Sequence, residues 1–318
     1  MFLGVDAGGS ETLAIVANKE GEVVWVGRGG PGNHLCVGIA GVLASLEEAL
    51  GRFRHINFTA ACFGLSGLGI GEHDPKLEEG LRSTVKANSM TFYNDGHLAL
   101  LGAFLGEPGI LVIAGTGSAV LALDCQGVVR RLGGWGHILG DEGSAYRIAM
   151  DAIRAAIQAY DGVGEPTSLL PAMLSFFNWQ KPRAAIPYFY SHPLDKHTVA
   201  KFAPLVVAEA EKGDKVASEV IRKNVEALVK MVQAMVKKFE VPPKIAVMGG
   251  VFRSRYVREL FDTSLAALNL KPVAPELSPA LAGVFLAMKM AGLQPPVEKL
   301  KKAERLVEAG HEAGRAPN

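Results

Sequence analysis

Apolar residues along the chain follow two rhythms. In FLGVDAGGSETLAIV (2–16) and ILVIAGTGSAVLAL (110–123) they form short blocks on either side of a glycine-bearing turn, which predicts strand, turn, strand in each. The first is followed by a third short strand (EVVWVG, 22–27), a helix over 37–50 (VGIAGVLASLEEAL) and a strand at FTAACFGLSG (58–67). TFYNDG (91–96) reads as a strand end running into the helix HLALLGAFLG. After the second hairpin come VVRRLG, a glycine cluster at 133–143, and a helix from about Ser144 to Tyr160. Its Ala145, Ile148, Ala149, Ala152, Ile153, Ala156 and Ile157 recur at three-and-four spacing.

From Val163 to about Lys196 the chain is rich in Pro and aromatic residues and weak in periodicity, as in an insertion of short helices under loops. A second long helix then carries the stripe Val220, Ile221, Val225, Leu228, Val229, Val232, Met235 and Val236. PPKIAVMGGVFRSRYVREL follows as strand, glycine pair and helix. The fold class expected is α/β, a duplicated unit with its seam near Glu107–Gly109. Residues 1–108 form the first domain and 109–292 the second, with 293–318 packing back on the first. In such a duplication the ligand is expected in the cleft between the halves, where strand ends converge.

Composition narrows the partners. The chain has 318 residues, 49% hydrophobic, enough for two cores, and 33 Lys plus Arg stand against 32 Asp plus Glu. No global basic field exists to recruit nucleic acid. Past Pro296, Glu298, Glu304, Glu308 and Glu312 intersperse the Lys and Arg, so that segment reads as a solvated helix. Three widely spaced cysteines (Cys36, Cys62, Cys125) argue for a reducing compartment and for ordinary small buried residues. No apolar run reaches about 18 residues uninterrupted, so no membrane span is expected. The N-terminus enters a strand directly, without the regions of a signal peptide. A cytoplasmic protein is the expectation.

The chemistry-bearing positions cluster at the glycine turns. GVDAGGSET (4–12) has the glycines of a phosphate loop but no Lys, and it carries Asp6 and Glu11. Gly8, Gly9, Ser10 and Thr12 on one hairpin, with Gly115, Thr116, Gly117 and Ser118 on the other, could hold a polyphosphate through N–H and hydroxyl donors. Its counter-charge would be a divalent cation, Mg²⁺, on Asp6. A tight β-turn explains either hairpin by itself. VMGGVFRS (247–254) adds Gly249, Gly250 and Ser254 at a strand-to-helix junction, where Gly250 leaves room for a base or ribose. Asp95 is either the N-cap of its helix, a role Asn94 also suits, or a catalytic carboxylate. GGWGHILGDEGSAYR (133–147) is the most distinctive stretch. A cap accounts for Asp141 or Ser144, but not for its glycines, its acids and His137 together; His137 reads as a positioned structural histidine.

Taken in order, DAGGSET, the NDG helix, IAGTGS, GGWGHILGDEGSAY and MGGVFRS resemble the five landmarks of the sugar kinase, Hsp70 and actin ATPase superfamily. The GGWG…LGDEGSAY form resembles its N-acetylglucosamine kinase branch, grouped with the BadF/BadG-type ATPases. The likeness runs from about residue 3 to SPALAGVFLAMKMAG (278–292). It implies duplicated ribonuclease H-like domains and an ATP-dependent kinase for a hexose or hexosamine, acting at the 6-hydroxyl, with a homodimer as the expected assembly. It further implies that Asn33 contacts the sugar and that Asp95 is the base. Asp141 would bind sugar hydroxyls, lined by Ser118, Ala119, Gly134, Trp135 and Gly136. Ser10, Thr116, Gly250 and Ser254 would contact nucleotide. One departure is Glu11, where relatives often carry Lys or Arg. The rival reading, an iron–sulfur activator of a radical dehydratase, needs cysteine ligands near the glycine-rich loop of the second half, and GGWGHILGDEGS has none.

Overall fold

The computed structural model describes residues 1–191 and 195–313. The chain divides into two compact units, Met1–Glu107 with Ala274–Asn318, and Pro108–Val273.

In the first unit, β1 (Phe2–Ala7), β2 (Thr12–Ala17) and β3 (Val23–Gly29) form an antiparallel meander. Helix α1 (His34–Leu50) leads to β4 (Asn57–Leu65), α2 (Pro75–Thr84) to β5 (Lys86–Asn94), and α3 (Asp95–Phe104) closes this run. The sheet order is β3-β2-β1-β4-β5, with β4 parallel to β1 and β5 parallel to β4. Near-continuous apolar runs form β1 and β2 because both faces are covered. Leu3, Val5, Ala14 and Val16 pack towards α1, which buries Val42, Leu46, Ala49 and Leu50, while Phe2, Leu13 and Ile15 join the opposite layer.

The second unit repeats the plan. β6 (Gly109–Ala114), β7 (Ser118–Leu123) and β8 (Val129–Gly133) form the meander, and α4 (Ala145–Tyr160) follows. Four short helices come next: α5 (Leu169–Phe176), α6 (Ala185–Tyr190), α7 (Lys196–Ala200) and α8 (Ala203–Glu211). Then come the 24-residue α9 (Lys215–Lys238), β9 (Lys244–Met248), α10 (Arg255–Ala266) and the edge strand β10 (Lys271–Val273). Sheet order is β10-β9-β6-β7-β8, the same sequence of parallel and antiparallel neighbours as in the first unit. The predicted stripes of α4 and α9 lie in this unit's core. The Pro- and aromatic-rich insertion is held by stacked rings, with Phe177 and Trp179 at 4.5 Å between centroids.

The expectations for residues 278–292 and for the cysteines are revised, and that for a membrane span is qualified. The helix α11 (Pro279–Met290), expected in the second domain, belongs to the first unit, where it packs on β1 and β4. The reason is a glycine pair: a Cβ on Gly283 would lie 2.8 Å from the Gly4 Cα, so helix and strand backbones approach as only glycines allow. The terminal helix α12 (Val297–Ala313) also lies in this unit, against β3 and α11. Second, the 22-residue stretch His34–His55 is long and apolar enough by length and composition to cross a membrane. It is nonetheless broken at Gly38 (φ 69°), and its buried side chains belong to the first unit's core. Third, Cys36 and Cys125 are exposed; only Cys62 is buried.

Candidate active site

In the first unit the candidate residues gather at one end of the sheet, where β1, β3, β4 and β5 all finish. The turn after β1 is closed by the Gly8 N–H donating to the Glu11 carbonyl at 2.9 Å. It is tied to the loop before α1 by the Gly32 N–H donating to the Gly8 carbonyl at 2.8 Å. Gly9 and Ser10 are exposed at its tip. Thr12, fully buried, has a hydroxyl without a hydrogen-bond partner. The second carboxylate of this acidic turn has a local answer: Glu11 accepts from the Arg28 guanidinium at 2.9 Å, and Arg28 also donates to the Val307 carbonyl at 3.0 Å.

Asp6 stands at the end of β1. Burial pushes its carboxyl up to about 7, and the charges of Asp95 and then Glu11 add to the rise. Carboxylates crowded in this way suit a divalent cation, which would relieve the repulsion. Mg²⁺ is ordinarily held by one or two carboxylates with substrate phosphates and water. Among the described residues no cluster of three or more His, Cys, Asp or Glu side chains forms a closed metal cage. The residues present fit a Mg²⁺ carried in with phosphate.

Local chemistry at the two helix starts is specific. Asn33 caps α1, its side chain accepting the Leu35 N–H at 3.0 Å. Asn94 caps α3, accepting the His97 N–H at 3.2 Å, while its amide donates to the Leu68 carbonyl at 2.6 Å. Asp95 is therefore the first helical residue and not the cap; its carboxylate accepts the Gly96 N–H at 2.7 Å.

In the second unit the turn Gly115–Gly117 meets the start of α4. The Gly115 carbonyl accepts the Ala145 N–H at 2.8 Å, and the Thr116 carbonyl accepts the Tyr146 N–H at 3.4 Å. Ser144 caps α4 through the Arg147 N–H at 3.1 Å, which leaves Asp141 another task. Asp141 is buried and holds a left-handed backbone (φ 62°), which costs a non-glycine residue of order 1–3 kcal/mol. Its carboxylate accepts the Ser118 N–H at 3.3 Å, and a Cβ on Gly117 would lie 3.0 Å from it. Ser118 in turn donates its hydroxyl to the Glu142 carbonyl at 2.7 Å. Ala119 pairs with Gly133 across β7 and β8. Gly133, Gly134 and Gly136 all have positive φ, and Arg131 braces Gly134 by donating to its carbonyl at 2.5 Å. Trp135 between them is 74% exposed. The ring of His137 meets Tyr146 edge-on at 5.1 Å. Gly249 (φ 108°) passes so close to Ala114 and Gly115 that no side chain fits, whereas the space beside Gly250 is open. Ser254 caps α10 through the Val257 N–H at 3.2 Å.

Several contributors escape a sequence reading. Arg28 answers Glu11 from the third strand. His197 reaches the Thr116 hydroxyl at 3.5 Å across 81 positions of sequence. Asn224, buried in α9, accepts the Gly143 N–H at 3.1 Å and donates to Asp151 at 3.0 Å, bracing the glycine loop from behind. Only the folded chain brings these pairs together; no motif announces them.

The model of the BadF/BadG/BcrA/BcrD ATPase family matches residues 3–286. The chain belongs to this family. Its curated relatives include the N-acetylmuramic acid/N-acetylglucosamine kinase of Clostridium acetobutylicum, 31% identical over 277 residues, spanning 84% of this chain and 90% of the relative. The N-acetyl-D-glucosamine kinase of Dictyostelium discoideum is 25% identical over 312 residues, 91% of this chain and 98% of the relative. Among solved structures, a Chromobacterium violaceum protein provisionally named an N-acetylglucosamine kinase superposes with a TM-score of 0.75 at 28% identity, covering 90% of this chain and 98% of that one. The architecture is the two-domain actin-like ATPase fold of this family. No cysteine stands in the 133–143 loop, so the chain has none of the ligands there that an iron–sulfur activator requires.

Proposed function

We propose that this chain is an ATP-dependent kinase of an amino sugar of the N-acetylglucosamine class, transferring the γ-phosphoryl group to the 6-hydroxyl. The observation that carries the reading is the division of labour at α3. Asn94 takes the cap, and Asp95 keeps a carboxylate beside Asp6 at the sheet end. The names of the curated relatives support the substrate class.

In this reading Asp95 accepts the proton of the sugar hydroxyl as that oxygen bonds to the γ-phosphorus and the bond to the β–γ bridging oxygen breaks, releasing ADP. Phosphoryl transfer depends mostly on positioning and charge stabilisation. In the first unit Asn33 would bind the sugar, Gly8, Gly9, Ser10 and Thr12 the nucleotide phosphates, and Asp6 the Mg²⁺. In the second, Ser118, Ala119, Gly134, Trp135, Gly136 and Asp141 would line the sugar, and Thr116, Gly117, Gly249, Gly250 and Ser254 the nucleotide. Mg²⁺, when bound, would neutralise charge on the phosphates. A phosphorylation assay over N-acetylglucosamine, glucosamine, N-acetylmuramic acid, glucose and mannose tests the reading, with the site of modification read by NMR. Turnover of no sugar refutes it.

A further inference from the structure

The turn that follows β4, Ser66–Leu68, touches every candidate segment of the first unit. The Ser66 N–H donates to the Ala7 carbonyl at 3.0 Å, holding the entry to the phosphate turn. The Leu68 carbonyl receives the Asn94 amide at 2.6 Å, holding the residue before Asp95. Between them Gly67 (φ 92°) lies against the start of α1: a Cβ there would sit 2.6 Å from Asn33 Oδ1 and 3.0 Å from the His34 ring. The register agrees, since Leu65 pairs with Ala7 on one side and Asn94 on the other. Ser66 thus falls in the strand-end row between Gly8 and Asp95, and its buried hydroxyl has no partner.

We propose that Gly67 is a positioning residue of the acceptor site: its missing side chain lets Asn33 stand where it meets the sugar. The inference rests on the kinase reading above and deepens it. Two constraints meet at Asn33. Its Oδ1 is fixed by capping Leu35, so the side chain cannot swing away from residue 67 without giving up the cap. A methyl group at position 67 must therefore displace the Asn33 side chain, either with the first turn of α1 or at the cost of its cap. The nucleotide turn keeps its own closure, the Gly8 N–H on the Glu11 carbonyl, besides the bonds from Gly32 and Ser66, so the displacement falls mainly on Asn33.

The backbone strain of a substituted glycine must be separated from this crowding, and the same loop supplies the control. Gly71 also has positive φ (75°), but nothing lies within 4 Å of where its Cβ would be. Gly71→Ala should lose only the stability that its positive φ costs, and Gly67→Ala at least as much. Only Gly67→Ala should raise the sugar KM, by about tenfold or more, with the ATP KM within twofold of the wild type. In a double-mutant cycle, Asn33→Ser keeps a capping hydroxyl and removes the group that residue 67 would strike. Adding Gly67→Ala to it should cost little further sugar affinity. Should Gly67→Ala alone fail to fold, recovery of folded protein in the Asn33→Ser background supports the same contact. Equal sugar KM values for the two alanine variants, parallel rises in both KM values, or additive effects in the cycle would overturn the role given to Gly67 while leaving an active wild-type kinase. A wild-type protein that phosphorylates no sugar would overturn both readings.

Discussion

Asn94 and Asp95 are adjacent at the start of α3 and do different work: the Asn94 side chain caps the helix by accepting the His97 N–H, while Asp95 is the first helical residue and accepts the neighbouring Gly96 N–H. Their variants should separate accordingly. Asp95→Asn should retain sugar and ATP binding and lose turnover by roughly two to four orders of magnitude, the usual worth of a general base. Asn94→Ala should cost about 1 kcal/mol of stability through the lost cap. Melting curves and single-turnover rates on both variants check this. An Asp95→Asn enzyme with normal turnover contradicts the assignment.

Asp6 gives a pH dependence with a definite sign. Its carboxyl titrates from 3.8 in the ordinary state to about 7 in the folded protein. Between those values the folded state binds the proton that the unfolded state has released, so stability falls as pH rises through this window. Asp6→Asn should flatten that slope in the absence of divalent cation, as read by denaturant titrations at pH 5 and 8. Added Mg²⁺ should stabilise the wild type at pH 8 more than at pH 5, because the proton competes for the same oxygens. A wild-type stability that is level across this range, with and without Mg²⁺, would remove Asp6 from the proposed role.

The left-handed Asp141 separates conformation from charge. Asparagine tolerates that backbone and alanine does not. Asp141→Asn should therefore fold with near-native stability, and Asp141→Ala should lose of order 1–3 kcal/mol. Both should lose sugar affinity, since the proposed acceptor of the sugar hydroxyls is gone. Calorimetric titration of sugar into each variant decides it; unchanged affinity in Asp141→Asn would assign the carboxylate to bracing Ser118 alone.

How much was legible from the residues depended on the range of the interaction. The hairpins around Gly8 and Gly115, the α4 and α9 stripes and the α/β class follow from local period and turn chemistry, and the structure has them. The placement of α11 does not, because its glycine contact joins positions 4 and 283, and neither glycine signals the other. The cap at Asn94 was ambiguous for a different reason: Asn and Asp both suit an N-cap, and only backbone dihedrals separate the cap from the first helical residue. Arg28, His197 and Asn224 reach the candidate segments through pairings of 17, 81 and 81 positions, which no local rule reads.

The α11 contact makes a prediction of its own. Gly283→Ala places a methyl 2.8 Å from Gly4 and 3.1 Å from the Cys62 carbonyl, both backbone atoms that cannot turn aside. Overpacking of this kind typically costs 1–3 kcal/mol, occasionally more. Gly292→Ala, just past the end of α11 and with open space around its Cβ, should show only the cost of its positive φ. Chemical denaturation of the two variants compares them directly.

The central claim is that ATP turnover by this chain is phosphoryl transfer to an amino sugar, with Asp95 as the base. The most direct measurement is ADP release by wild type and Asp95→Asn with and without N-acetylglucosamine, combined with ³¹P detection of the product. The account predicts that ADP release depends on the sugar, that each ADP is matched by one sugar 6-phosphate, and that Asp95→Asn abolishes both. ADP release at the same rate without sugar, with inorganic phosphate as the product, would contradict it.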